Sequence, residues 1–93
     1  VKITIRAKAY ADLENIYRWI AKDSPTNAKS VVRRISLAIE DNLVPFPLSG
    51  RVGQKPGTRE LAISGLPYLV IYEVDHARDL VIVQAIYHGA QNR

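Results

Sequence analysis

The chain has 93 residues, 47% of them apolar, with 13 Lys and Arg against 9 Asp and Glu for a formal charge of +4. That size reads as a single domain over residues 1–93 that buries about two-thirds of its unfolded surface around one apolar core, and the lack of cysteine excludes a disulfide framework, a thiolate nucleophile and a Cys-based metal site. No stretch approaches the roughly 20 apolar residues of a membrane span, so a soluble cytoplasmic protein with no membrane partner is expected; the charge, spread evenly over both halves, permits nucleic acid or an acidic protein as partner.

Val1, Ile3 and Ile5 alternate with Lys2, Thr4 and Arg6, the period of a half-buried strand. From Ala9 to Lys22 the period lengthens. Leu13, Ile16, Tyr17 and Ile20 form one helical stripe, with Asp12, Glu14, Asn15 and Arg18 outside it. Trp19 lies about a quarter turn off that stripe, where an aromatic is either buried at the edge or anchors a partner. Ser24-Pro25 stops this helix and starts another, since serine caps a helix and proline is tolerated at its first position. The second helix collects Ala28, Val31, Val32, Ile35, Ile39 and Leu43 on one face and Lys29, Arg33, Arg34, Glu40 and Asp41 on the other. Leu37 falls on the polar face, as a solvated leucine or a partner contact.

Residues 44–57 hold three prolines and three glycines, which rule out a regular helix or a central strand. A connector this long inside a compact fold is usually functional or mobile, and Phe46 and Leu48 are expected to anchor it to the core. Three strands follow, joined by turns at Ser64–Pro67 and Asp75–Asp79, spacing that favours an antiparallel meander. In the middle one Tyr68, Val70, Tyr72 and Val74 face one way and Leu69 and Ile71 the other, so it reads as a central strand covered on both sides. The expected fold is α+β: a small antiparallel sheet with an N-terminal helical hairpin on one face, in the order β-α-α-β-β-β.

The chemistry-bearing residues are few. There is no G-x-S-x-G nucleophile elbow, no metal-ligand spacing and no phosphate-binding glycine motif, so neither a metal nor a cofactor is expected. His88, ending the last strand beside Tyr87, is the best candidate for proton transfer, since imidazole titrates near neutrality; a strand-terminal histidine also commonly just bonds a backbone carbonyl. His76 lies in a turn, where solvation explains it. Arg51 and Arg59 flank the connector as two planar donors able to clamp phosphate or carboxylate, although Arg59 has a structural alternative in pairing with Glu60 or Glu73.

The last third carries a recognisable order: Thr58-Arg59-Glu60-Leu61, then Ser64-Gly65-Leu66-Pro67-Tyr68 leading into Leu69–Val74 with Tyr72, then Ile86-Tyr87-His88-Gly89-Ala90. With the two helices before it, this resembles the RelE/ParE toxins of bacterial toxin–antitoxin pairs. The resemblance implies a cytoplasmic toxin bound by a cognate antitoxin in a hetero-oligomer. The ParE-like branch inhibits DNA gyrase; the RelE-like branch cleaves mRNA on the ribosome with basic residues plus His or Tyr. The places where RelE-type nucleases carry basic residues fall here near Glu60, Ala62, Leu69 and Ala90, so the resemblance favours the gyrase inhibitor, with the ribosome-dependent mRNA endonuclease and a toxin fold without toxicity as alternatives. Were it a nuclease, His88, Tyr87 and Arg59 would be its catalytic candidates. Arg51, Arg59, His88, Gln91 and Arg93 are the expected target contacts, and Trp19, Leu37, Arg33 and Arg34 the expected antitoxin contacts, on separate surfaces.

Overall fold

A computed structural model describes residues 1–89. Strand β1 (Lys2–Ile5) leads into helices α1 (Ala7–Ala21) and α2 (Pro25–Leu43), and strands β2 (Arg51–Val52), β3 (Arg59–Ala62), β4 (Tyr68–Asp75) and β5 (Leu80–His88) follow. The helical hairpin forms where the sequence places it. Ser24 caps α2 by accepting the Asn27 N–H at 3.1 Å, and Pro25 opens the helix, where its missing N–H costs no hydrogen bond. Among the described residues no helix is long and apolar enough to cross a membrane.

The strands form one sheet in the order β1-β5-β4-β3-β2, and β1 pairs parallel with β5 while all other pairs are antiparallel. The sheet is therefore mixed and five-stranded, not the purely antiparallel sheet of the sequence reading. The cause is the hairpin. It carries the chain from β1 to the opposite edge, and the meander then returns strand by strand until β5 falls beside β1 in the same direction. β2 sits inside the proline- and glycine-rich connector, yet it is only two residues long and lies at an edge, where such a sequence is tolerated.

Leu13, Val31, Ile35, Ile39 and Leu43 from the helices pack on Leu61, Val70, Tyr72, Val81, Val83 and Ile86 from the sheet. Each such side chain contributes about 1.5–3 kcal/mol by leaving water. β4 is central, but helices cover only one of its faces. On the other face Ile71 and Ala85 are also buried and border, with Gln54 and Lys55 of the connector and Thr58 just after it, a small cavity of about 280 Å³.

A bulge fixes what the end of β5 presents. Ile71 pairs with Ala85 and Tyr72 with Val83, leaving Gln84 as an extra residue in β5. That insertion shifts the alternation, so Val81, Val83 and Ile86 all meet the core. His88, opposite Tyr68, follows Ile86 on the helix-covered side, and Tyr87, opposite Leu69, points to the other.

The connector is anchored differently from expectation, since Phe46 and Leu48 are exposed. Polar contacts hold it instead. The Tyr72 hydroxyl donates to Pro47 O at 2.8 Å and accepts the Gly50 N–H at 2.9 Å, while Arg59 Nη1 donates to Leu48 O at 3.2 Å and Gly50 O at 2.8 Å. Burial pushes the Tyr72 phenol above its ordinary pKa, against smaller lowering effects from the Gly50 amide and Arg59. A raised folded-state value means that this contribution is complete at neutral pH and is lost as the pH rises through it. Gly50 fits because it has no side chain: a Cβ there would lie 2.6 Å from the Tyr72 hydroxyl and 2.8 Å from the backbone oxygen of Glu60. Gly50→Ala should therefore cost about 1–3 kcal/mol, the usual range for overpacking, read as a lowered urea midpoint at unchanged m-value.

Candidate functional site

β1 stops short of the end of β5. Its last pair is Ile5 with Val83, and Arg6 N–H closes the ladder on Val83 O at 2.9 Å. Beyond that point the β5 edge faces α1. Asp12 of α1 accepts the Ile86 N–H at 2.9 Å, a contact spanning 74 residues of sequence, and the same carboxylate pairs with Lys8 at 2.9 and 3.0 Å. The Lys8 ammonium also lies 4.6 Å from the centroid of the Tyr87 ring, a cation–π distance. The hydrogen bond to Asp12 is the main cause holding the Lys8 pKa above its ordinary value.

Between α1 and this strand end opens a cleft of about 600 Å³, bordered by Lys8, Asp12, Trp19, Tyr68, Tyr87 and His88. Trp19 is 70% exposed, so it belongs to a surface and not to the core, and Lys22 Nζ lies 5.0 Å from the centroid of its ring. His88 meets Tyr68 edge to face, ring centroids 5.7 Å apart at 85°. Burial pushes the Tyr68 phenol up, so it is a neutral hydroxyl at physiological pH. The cleft thus offers aromatic walls, a lysine rim and an imidazole.

The expected site residues separate into three groups. Trp19, Tyr87 and His88 come together at the cleft, although Trp19 and His88 were assigned to separate surfaces. The sequence could not show this, because the meeting depends on where β5 ends relative to α1. Leu37, Arg33 and Arg34 lie on the exposed face of α2. Arg34 is used structurally there, donating to Ser64 O at 3.1 Å and tying α2 to the β3–β4 turn. Arg51 and Arg59 sit on β2 and β3, Arg51 bonded to the buried carboxylate of Glu60 at 3.0 and 3.2 Å and Arg59 turned to the connector carbonyls. Arg59 pairs with Tyr72 and His88 with Tyr68, four residues apart on β4, or about 13 Å along the strand. The three nuclease candidates therefore share no single site. Gln91 and Arg93 lie outside the described residues.

Lys8 and Asp12 carry no assigned role in the sequence reading, and Tyr68 enters it only as a motif and strand residue. The spacing of Lys8 and Asp12 by four residues marks a helix-surface ion pair, but nothing local marks Asp12 as the partner of a strand amide. Among the described residues no group of three or more His, Cys, Asp or Glu could hold a metal ion.

This architecture, a helical hairpin on a five-stranded mixed sheet, is that of the small toxins of toxin–antitoxin systems. It matches a solved structure of the chromosomal ParDE system from P. aeruginosa with a TM-score of 0.82 at 24% identity, covering 95% of each chain. The Mycobacterium tuberculosis RelBE2 toxin–antitoxin complex matches with a TM-score of 0.62 at 19% identity, over 94% of this chain and 95% of that one. In sequence, residues 3–93 match the family model of the ParE toxin of type II toxin–antitoxin systems. The Sinorhizobium fredii protein named "Putative toxin Y4kP" is 38% identical over 84 residues, 90% of this chain and 84% of that protein. The chain belongs to the ParE toxin family of type II toxin–antitoxin systems.

Asp12→Ala removes the acceptor of the Ile86 N–H and the partner of Lys8. It should cost about 1–3 kcal/mol through the unpaired amide and speed hydrogen exchange at Ile86 more than at Val70, its neighbour across the strand pair, as read by NMR.

Proposed function

We propose that this chain is a cytoplasmic toxin that inhibits DNA gyrase and is neutralised by a cognate antitoxin in a hetero-oligomeric complex. The observation carrying this reading is the placement of the cations. Metal-free RNA cleavage needs positive groups on the developing phosphate charge and a base at the 2′-hydroxyl. Around His88 and Tyr87 the nearby lysine is committed to Asp12, Arg59 lies on another part of the sheet, and Ala62 and Leu69 occupy facing sheet positions where cations would be needed. Such a site is poor for a nuclease and adequate for protein recognition.

Antitoxin binding is assigned to the cleft, with Trp19 as an aromatic anchor and Lys22 facing acidic side chains, and to Leu37 and Arg33 on α2. Because Trp19 and His88 border the same cleft, an antitoxin segment seated on Trp19 also covers His88, which gives neutralisation a direct physical route. His88 and Arg51 are assigned to target contact, and Arg59 to holding the connector. The P. aeruginosa and M. tuberculosis relatives are solved as toxin–antitoxin systems, which supports the partner.

Expression of the chain alone should arrest bacterial growth, and coexpression of the small protein encoded beside it should restore growth. With purified components, gyrase should lose supercoiling activity or accumulate cleaved DNA while ribosome-bound mRNA stays intact. Codon-dependent mRNA cuts on ribosomes, abolished by His88→Ala, would instead make the chain a nuclease.

A further inference from the structure

β5 turns its last two residues to opposite sides of the sheet. His88 faces the helices and borders the cleft beside Trp19, while Tyr87 faces the side that no helix covers. β1 pairs with β5 only as far as Ile5 with Val83, so beyond that pair no strand separates the two faces. At the crossing stands the Lys8 ammonium, 4.6 Å from the Tyr87 ring centroid and bonded to Asp12. The Lys8 side chain is 55% exposed, which leaves the crossing open to solvent.

Lys8 and Tyr87 border two cavities at once, the cleft of about 600 Å³ and the cavity of about 280 Å³ on the open face. The two hollows therefore meet at the end of β5. Ile71 and Ala85 give the second one an apolar floor, and Gln54 and Gln84 border it with side-chain amides. An amide side chain both donates and accepts, which matches the N–H and C=O of an extended backbone. A small molecule or a free ion is a poor occupant. The volume falls below the roughly 300–1,000 Å³ of small-molecule sites, and Lys8 and Glu60 are already engaged by Asp12 and Arg51. Lys55, exposed at the border of the cavity, suits an acidic side chain.

We propose that the antitoxin segment seated beside Trp19 crosses the end of β5 over Lys8 and Tyr87, sets an apolar side chain over Ile71 and Ala85, and is bonded along its backbone by Gln54 and Gln84. This rests on the antitoxin reading of the cleft and extends it to the open face. Trp19 and Lys8 are eleven residues apart on α1, about 16 Å along its axis. An extended chain covers that distance in about five residues, so a segment of about ten reaches the second cavity. Such a crossing covers His88 and Tyr87 together, although they point to opposite faces. Seating one segment in two joined hollows also raises its effective concentration at each, so the complex dissociates slowly.

The chain has no cysteine, so single introduced cysteines report coverage cleanly. Asn15→Cys marks the cleft, Gln54→Cys the open-face cavity and Ala77→Cys the β4–β5 turn; all three positions are exposed, and an unchanged urea midpoint checks that each variant folds. Maleimide labelling of the toxin chain, read by mass, is compared between the toxin alone and its complex with the antitoxin encoded beside the gene. The expected result is at least tenfold slower labelling in the complex for Asn15→Cys and Gln54→Cys, with Ala77→Cys unchanged. Unchanged labelling of Gln54→Cys with Asn15→Cys protected overturns the inference and leaves the antitoxin in the cleft. Unchanged labelling of Asn15→Cys removes the antitoxin from the cleft, and the inference falls with that reading. Equal slowing at all three positions overturns it too, because the protection then follows no route. So does a Gln54→Cys that the toxin alone already protects, since the chain itself then fills the cavity.

Discussion

The hydroxyl of Tyr72 is the contact on which the arrangement of this molecule turns. The ring belongs to the apolar core, while the oxygen at its far end reaches the connector and bonds both Pro47 O and Gly50 N–H. One side chain thereby links the apolar interior to the segment with the least regular structure. A phenylalanine would fill the same volume and leave two backbone groups unpaired, each costly if water cannot reach it. Arg59 reinforces the same segment from β3, so the path of the connector is set by polar contacts from two strands and its apolar side chains are left to face solvent.

A second constraint operates at the other end of the sheet. β1 covers the β5 edge only as far as Val83, and an uncovered edge invites unwanted pairing. Asp12 closes one backbone donor of that edge from α1, and Lys8 balances the carboxylate while lying over Tyr87. What remains is a cleft with Trp19 on the helix side and Tyr68 and His88 on the sheet side. An antitoxin segment placed there meets an aromatic anchor, a lysine rim and the strand end together. One end of the sheet thus carries a groove, while the connector carries exposed apolar side chains, Phe46 and Leu48.

Much of this was legible in the sequence. The helical stripes of Leu13, Ile16 and Ile20 and of Val31, Ile35 and Ile39, the Ser24-Pro25 junction and the three closing strands all follow from local period and local capping chemistry, and all are present. The features that escaped are those whose cause lies far away in the chain. The parallel pairing of β1 with β5 joins the two ends of the sequence. Asp12 looked like an ordinary solvent-side residue because its partner Ile86 is 74 residues away. Gln84 is a single polar residue in an otherwise apolar run, which does not by itself mark a bulge, yet it decides which way Tyr87 and His88 point. Phe46 and Leu48 were misplaced for a different reason: apolar side chains in a connector ordinarily point inward, and only the polar reach of Tyr72 and Arg59 reverses them.

The central claim is that the Tyr72 hydroxyl holds the connector, and native-state hydrogen exchange on Tyr72→Phe tests it most directly. The account predicts that amides between Gly50 and Gly53 exchange at least tenfold faster than in the wild type, while the Ile35 and Val83 amides slow or quicken far less. Unchanged protection in the connector, or an equal loss in connector and core alike, would contradict it.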